Sequence, residues 1–158
     1  LLLPCDTTQS EQQYIVEHIN GLIAQGANVS DICIVARTKK YLEAVETYLA
    51  QQGFATQFLR NRGDDRESAG IRVATMHRVK GLEFRHVLIV GCSKGFVPLR
   101  GVALSTKDPV EARQLDLSER SLLHVACSRA IQSLHILCVG EPSPYLESMT
   151  CTSAIGAL

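Results

Sequence analysis

Two apolar runs, Ile71-Arg-Val-Ala-Thr75 and His86-Val-Leu-Ile-Val-Gly91, flank a polar segment, Met76-His-Arg-Val-Lys-Gly-Leu-Glu-Phe84. Nothing else in the chain constrains its fold as tightly. Apolar, β-branched runs of this length read as buried strands. The segment between them then reads as a strand-to-strand crossover. It gathers His77, Arg78, Lys80, Gly81 and Glu83, groups that suit phosphate, base or ribose. Open α/β sheets bind ligands beyond the carboxyl ends of their strands, so the crossover is expected to form a site at the carboxyl end of a parallel strand. A charged surface turn explains the same composition, because charged residues gather in loops.

The rest of the chain alternates strands with helices. Thr8-Gln-Ser-Glu11 reads as a capping box, and Tyr14, Ile15, Ile19, Leu22 and Ile23 recur at helical spacing up to Gly26. Asp31–Ala36 is apolar almost throughout, as expected of a parallel strand covered on both faces. Thr38 suits the N-cap of a second helix, which carries Tyr41, Leu42, Val45, Tyr48 and Leu49 and ends at Gly53. Phe54–Phe58 reads as a short strand, residues 60–70 as a solvated loop, and residues 100–110 as irregular. A helix is expected to start between Pro109 and Ser118 and to run through Leu122, Leu123, Ala126 and Ala130, followed by a last strand over Ser133–Val139. The alternation predicts an α/β three-layer sandwich with a mostly parallel sheet flanked by helices. Residues 1–148 are expected to form one domain and 149–158 a flexible tail.

Composition excludes several classes. The chain has 158 residues, 46% hydrophobic and 20% charged, with a formal net charge of zero. No global field draws it to nucleic acid, so any such contact must come from a local patch. No apolar stretch approaches the ~18–20 residues that span a bilayer. The six cysteines form no C-x-x-C pair and show no zinc spacing. They read as small buried hydrophobes in a reducing, cytoplasmic setting. A thiol nucleophile at Cys127, one helical turn from His124, is a separate possibility to test.

Other positions suit anion chemistry. Arg129 near the end of its helix can satisfy the last carbonyls, or it can clamp a transferring phosphoryl group. Arg37-Thr38, at the end of one strand and the start of a helix, suits a phosphate contact or a solvated turn. Gly91-Cys-Ser-Lys-Gly95 lacks the G-x-x-x-x-G-K-[ST] spacing of a phosphate loop, so it is expected to serve only loop geometry.

Together these pieces resemble the C-terminal RecA-like domain of the UvrD/Rep family of superfamily 1 DNA helicases. Thr75-Met-His-Arg-Val-Lys-Gly-Leu-Glu-Phe84 is similar to motif V, T-x-H-x-x-K-G-L-E-F. Glu119-Arg-Ser-Leu-Leu-His-Val-Ala-Cys-Ser-Arg-Ala130 is similar to motif VI, E-R-R-L-x-Y-V-A-x-T-R-A, with Ser121, His124 and Ser128 as departures. Gly95-Phe-Val-Pro98 and Ser143-Pro-Tyr-Leu146 resemble the family's G-x-F-P loop and its closing S-x-F-L. The resemblance covers residues 10–148.

The resemblance implies a role for each matched position. Arg129 is expected to be the arginine finger at the ATP γ-phosphate, with Gly81 and Glu83 at the nucleotide. Thr75, His77 and Arg37 are expected to face single-stranded or partly duplex DNA. The implied cofactors are ATP and Mg2+, bound together with an N-terminal RecA-like domain of the same polypeptide. The chain itself has no Walker A lysine and no Walker B acidic pair, so it is expected to hydrolyse no ATP alone. In place of the large inserted subdomain stands only the loop at 60–70. An alternative is a non-catalytic helicase-like module that scaffolds a DNA repair or nuclease complex.

Overall fold

The computed structural model describes residues 1–59, 69–103 and 106–148, and the loop and tail expectations for 60–68 and 149–158 lie outside them. Six strands form one sheet: β1 (Leu2–Cys5), β2 (Ile32–Ala36), β3 (Thr56–Phe58), β4 (Ile71–Thr75), β5 (Phe84–Ile89) and β6 (Ala130–Val139). Their order is β1-β6-β5-β2-β4-β3, and every neighbouring pair runs parallel. The expected α/β sandwich is therefore observed.

Alternation along the strands divides the core in two. Ile32, Ile34, Ala36, Ile71, Val73, Leu88 and Val90 face helices α1 (Thr8–Ala24) and α2 (Lys39–Gln51). Cys33, Val35, Ala74, Val87, Ile89 and Ile136 face the opposite way, toward Leu123 and Ala126 of the long helix that precedes β6. Because both faces are covered, β2 is buried at all five positions, and its sequence reads as a continuous apolar run.

Local signals set most element ends. Thr38 caps α2 by accepting from the Tyr41 amide at 3.3 Å. Gly26, at φ +88, ends α1, and the Ala27 amide donates back to Leu22 at 3.0 Å. The capping box of α1 begins one residue earlier than expected, at Thr7. Its hydroxyl accepts from the Ser10 amide at 3.0 Å, while Ser10 Oγ accepts from the Thr7 amide at 3.1 Å. Glu11 is thereby released from capping.

Residues 100–110, expected to be irregular, include a short helix, α3 (Arg100–Ala103). The next helix, α4 (Pro109–Cys127), starts at Pro109, where Asp108 accepts from the Val110 amide at 2.8 Å. Proline at the first turn forfeits a donor that the helix does not use. The last strand begins at Ala130, three residues before the expected Ser133, because Phe84 of β5 already pairs with Ala130.

The connection from β4 to β5 positions the candidate site. β2 lies between these strands, so the chain must cross it. Parallel crossovers commonly use a dozen or more residues with a helix; here residues 76–83 suffice, as turns. Met76 and Val79 are fully buried in the α4-side core. They anchor the short crossover against that face of the sheet.

Candidate functional site: two edges of one crossover

Because β4 and β5 are parallel, the crossover leaves the carboxyl edge of the sheet at Thr75 and returns to the amino edge at Phe84. Only the first half of the crossover therefore lies at the carboxyl end, and the residues expected to face DNA and those expected at the nucleotide stand at opposite edges of the sheet. Thr75, His77 and Arg37 gather at the carboxyl ends of β4 and β2, where Ala36 and Thr75 are register partners. Gly81, Glu83 and Arg129 gather at the amino end of β5.

At the carboxyl edge, Arg37 meets Glu119 of α4. Arg37 Nε donates to Glu119 Oε2 at 2.9 Å, and Nη2 donates to Oε1 at 2.6 Å. The side chains are only 12% and 7% exposed, so solvent screens this bidentate pair far less than it would an exposed one. Burial pushes the Glu119 carboxyl up. The Arg37 hydrogen bonds and charge, with the Leu99 amide, outweigh burial and hold it below its ordinary value. His77 is exposed but electrically part of this group. Partial desolvation and the Arg37 charge depress its basicity, with Glu119 opposing them. Thr75 is partly buried, and its carbonyl closes the first turn by accepting from the Arg78 amide at 2.8 Å.

At the amino edge, Arg129 folds back on its own helix end. Nε donates to the Val125 carbonyl at 3.1 Å, Nη1 to the Leu82 carbonyl at 3.3 Å, and Nη2 to Ser128 Oγ at 2.9 Å. This is the carbonyl-capping arrangement, and through Leu82 it also touches the crossover. The Phe84 amide donates to the Arg129 carbonyl at 2.9 Å, so the helix end and β5 are stitched together. Gly81 lies in this stretch at φ +84, a backbone region that disfavours any side chain. Glu83 is exposed and lines a hollow of about 230 Å³ with Ser30, Asp31, Arg72 and Arg85. A second hollow of about 250 Å³, near Leu2, Lys94 and Pro142, is lined by none of the predicted site residues.

Two carboxylates were not anticipated as functional positions. Glu119 opens the motif VI match, but its spacing says nothing of a partner on another strand. Glu11 occupies a core position on α1, in step with Ile15, Ile19 and Leu22, and is fully buried. An acidic residue in register with an apolar stripe is a readable signal of a buried polar contact. Its Oε1 accepts from the Gly91 amide at 2.8 Å and its Oε2 from the Tyr41 hydroxyl at 2.6 Å. Burial raises its pKa, against the pull of both donors. The loop after β5 therefore has its leading amide occupied by a carboxylate of the protein itself. Lys94 of the same loop pairs with Glu141 at 2.8 Å. Gly91 itself is required, because a Cβ there would lie 2.6 Å from the Tyr41 ring.

The thiol reading gains no support from the surroundings of Cys127. Burial pushes Cys127 up to about 11, the opposite of a nucleophilic thiolate. Among the described residues no group of three His, Cys, Asp or Glu side chains is arranged to hold a metal ion. No described helix is long and apolar enough to cross a membrane.

Residues 55–140 match the UvrD-like helicase C-terminal domain. The putative ATP-dependent DNA helicase YjcD of Bacillus subtilis is 33% identical over 111 residues, covering 70% of this chain and 14% of that protein. DNA helicase II of Escherichia coli is 30% identical over 110 residues, covering 68% of this chain and 14% of that protein. The chain thus aligns with only 14% of the length of these relatives. The crystal structure of the C-terminal domain of a possible DNA helicase from Lactobacillus plantarum superposes with a TM-score of 0.69 at 19% identity, covering 94% of this chain and 79% of that one. That likeness shows the shared fold. The family match covers more than half of the chain and contains the whole crossover and α4, and on that ground the chain belongs to the UvrD-like helicase C-terminal domain family.

Proposed function

We propose that this chain is the second motor domain of an ATP-dependent superfamily 1 DNA translocase. Its amino edge serves the nucleotide and its carboxyl edge serves the DNA strand. The observation that carries the reading is the separation of the two residue sets across one short crossover, with α4 joining the edges. From Glu119 to Cys127 the axis of α4 rises about 12 Å.

In this reading Arg129 is the arginine finger, and it exchanges its neutral acceptors for the γ-phosphate when a first motor domain closes against the amino edge. Hydrogen bonds to a neutral carbonyl or hydroxyl are worth less than one to an anion, so the exchange is favourable once phosphate arrives. Glu83 accepts from the ribose hydroxyls, and Gly81 lets the backbone turn beside the nucleotide. Thr75, His77 and Arg37 contact the phosphodiester backbone. The phosphate loop, the acidic pair and any Mg2+ belong to the first motor domain, so residues 1–158 alone turn over no ATP.

A second reading, a helicase-like module without catalysis, is favoured by one observation. All three Arg129 donor nitrogens are already engaged within the domain. The test is Arg129→Ala in the full-length protein. The translocase reading expects DNA-stimulated ATP turnover to fall by about 10³-fold or more, with DNA binding largely retained. A wild-type protein without turnover favours the module, and near-normal turnover in the variant refutes Arg129 as the finger.

A further inference from the structure

The geometry of the Arg37–Glu119 pair has a chemical consequence. A guanidinium offers five N–H donors in a planar fork. Glu119 takes only the Nε/Nη2 edge. Among the described residues, Glu119 is the hydrogen-bond partner of this side chain, and Nη1 is not one of the buried atoms left without a partner. The Nη1/Nη2 end is therefore not sealed off, although the side chain as a whole is only 12% exposed. That end lies at the carboxyl edge of the sheet, where Arg37 follows β2 and where Thr75 and His77 follow β4.

We propose that Glu119 is a positioning residue: it grips one edge of Arg37 and presents the other edge to a single phosphate of a nucleic-acid strand. The proposal rests on the DNA-edge reading given above. A planar fork can hold a carboxylate side-on and a phosphate end-on at once, whereas a lysine ammonium cannot fix both in one geometry. Glu119 itself is held, because the Leu99 amide points to its Oε2 at 3.5 Å and α4 fixes its backbone. Since Glu119 belongs to the helix that leads to Arg129, the grip on this phosphate follows the seating of α4.

Positioning and simple charge make opposite predictions. Removing a negative charge beside a DNA-binding edge strengthens binding if that charge is merely a neighbour or a mask. It weakens binding if that charge orients the arginine. The test uses the full-length protein and a fluorescent oligothymidine strand, with anisotropy followed from about 50 to 200 mM salt. Glu119→Gln is expected to weaken binding about 5- to 10-fold and to lower the salt slope by about 0.7, the value for one single-strand phosphate contact. Arg37→Lys, which keeps the charge, is expected to weaken binding similarly. In an Arg37→Met background, Glu119→Leu is expected to change nothing further.

Tighter or unchanged binding by Glu119→Gln overturns the proposal. Should that variant fail to fold by circular dichroism, Arg37→Lys decides, and wild-type affinity there overturns it equally. Absence of binding by the wild type removes the DNA edge itself, and this proposal with it. Binding by the wild type with an insensitive Glu119 removes only the proposal.

Discussion

Glu11 offers the sharpest test of how the carboxyl edge is held. Its carboxylate is fully buried and accepts from the Gly91 amide and the Tyr41 hydroxyl. Replacing it with alanine leaves both donors without their acceptor. Each unsatisfied neutral donor costs about 1–3 kcal/mol, and relief from burying a carboxylate offsets part of the sum, for a net loss of about 2–4 kcal/mol. Glutamine behaves differently. Its Oε1 can accept from Gly91, and its amide can donate to the Tyr41 oxygen, so Glu11→Gln is expected to stay within about 1 kcal/mol of wild type.

The pH dependence separates the two variants further. The native pKa of Glu11 lies above the ordinary 4.5 because of burial. The folded state therefore favours the protonated form. The stability linked to this proton is complete below the ordinary value and is lost as the pH rises through the raised native pKa. Glu11→Gln abolishes that loss. The assay is equilibrium urea unfolding across pH 4–8. With a slope of about 2 kcal/mol/M, Glu11→Ala should lower the midpoint by about 1–2 M. An alanine variant within about 0.5 kcal/mol of wild type at neutral pH, or a glutamine variant as damaged as the alanine one, refutes the reasoning.

Other expectations concern single groups. Gly91→Ala combines a Cβ 2.6 Å from Tyr41 with a φ of +63, and should cost about 2–3 kcal/mol by thermal or urea unfolding. His135 is buried, stacks on His18 with ring centroids 4.0 Å apart and is hydrogen-bonded through Nδ1 to the Tyr14 hydroxyl at 2.7 Å. Burial, with the neighbouring His18, brings its pKa down to about 4. Its contribution is intact above the ordinary 6.5 and is lost as the pH falls toward 4, so His135→Phe should flatten the acid limb of a stability–pH curve. Cys127, at about 11, should react with iodoacetamide at pH 7 more slowly than a free cysteine, read by mass spectrometry.

Much of the fold was legible because its signals are local. The apolar runs at Ile32–Ala36 and Ile71–Thr75, the Thr38 cap and the Gly26 stop each act within a few residues. The shift of the first cap from Thr8 to Thr7 is the ordinary one-residue ambiguity of a Thr-Thr pair, decided by which hydroxyl meets the Ser10 amide. The short helix α3 escaped notice because Arg100–Ala103 is a single turn with no apolar period to read.

The sequence by itself determined that this is an α/β chain carrying motif V and VI matches, and which side chains are candidates for the site. Tertiary structure decided where those candidates lie relative to one another. β2 is inserted between β4 and β5, so the two ends of the crossover lie at opposite edges of the sheet. The same arrangement brings Arg37 and Glu119, 82 positions apart, into one bidentate pair, and sends Glu11 to the amide of Gly91. Periodicity and capping report on neighbours along the chain. Strand order is set by burying the apolar faces of all the elements at once, and no local stretch of sequence contains it.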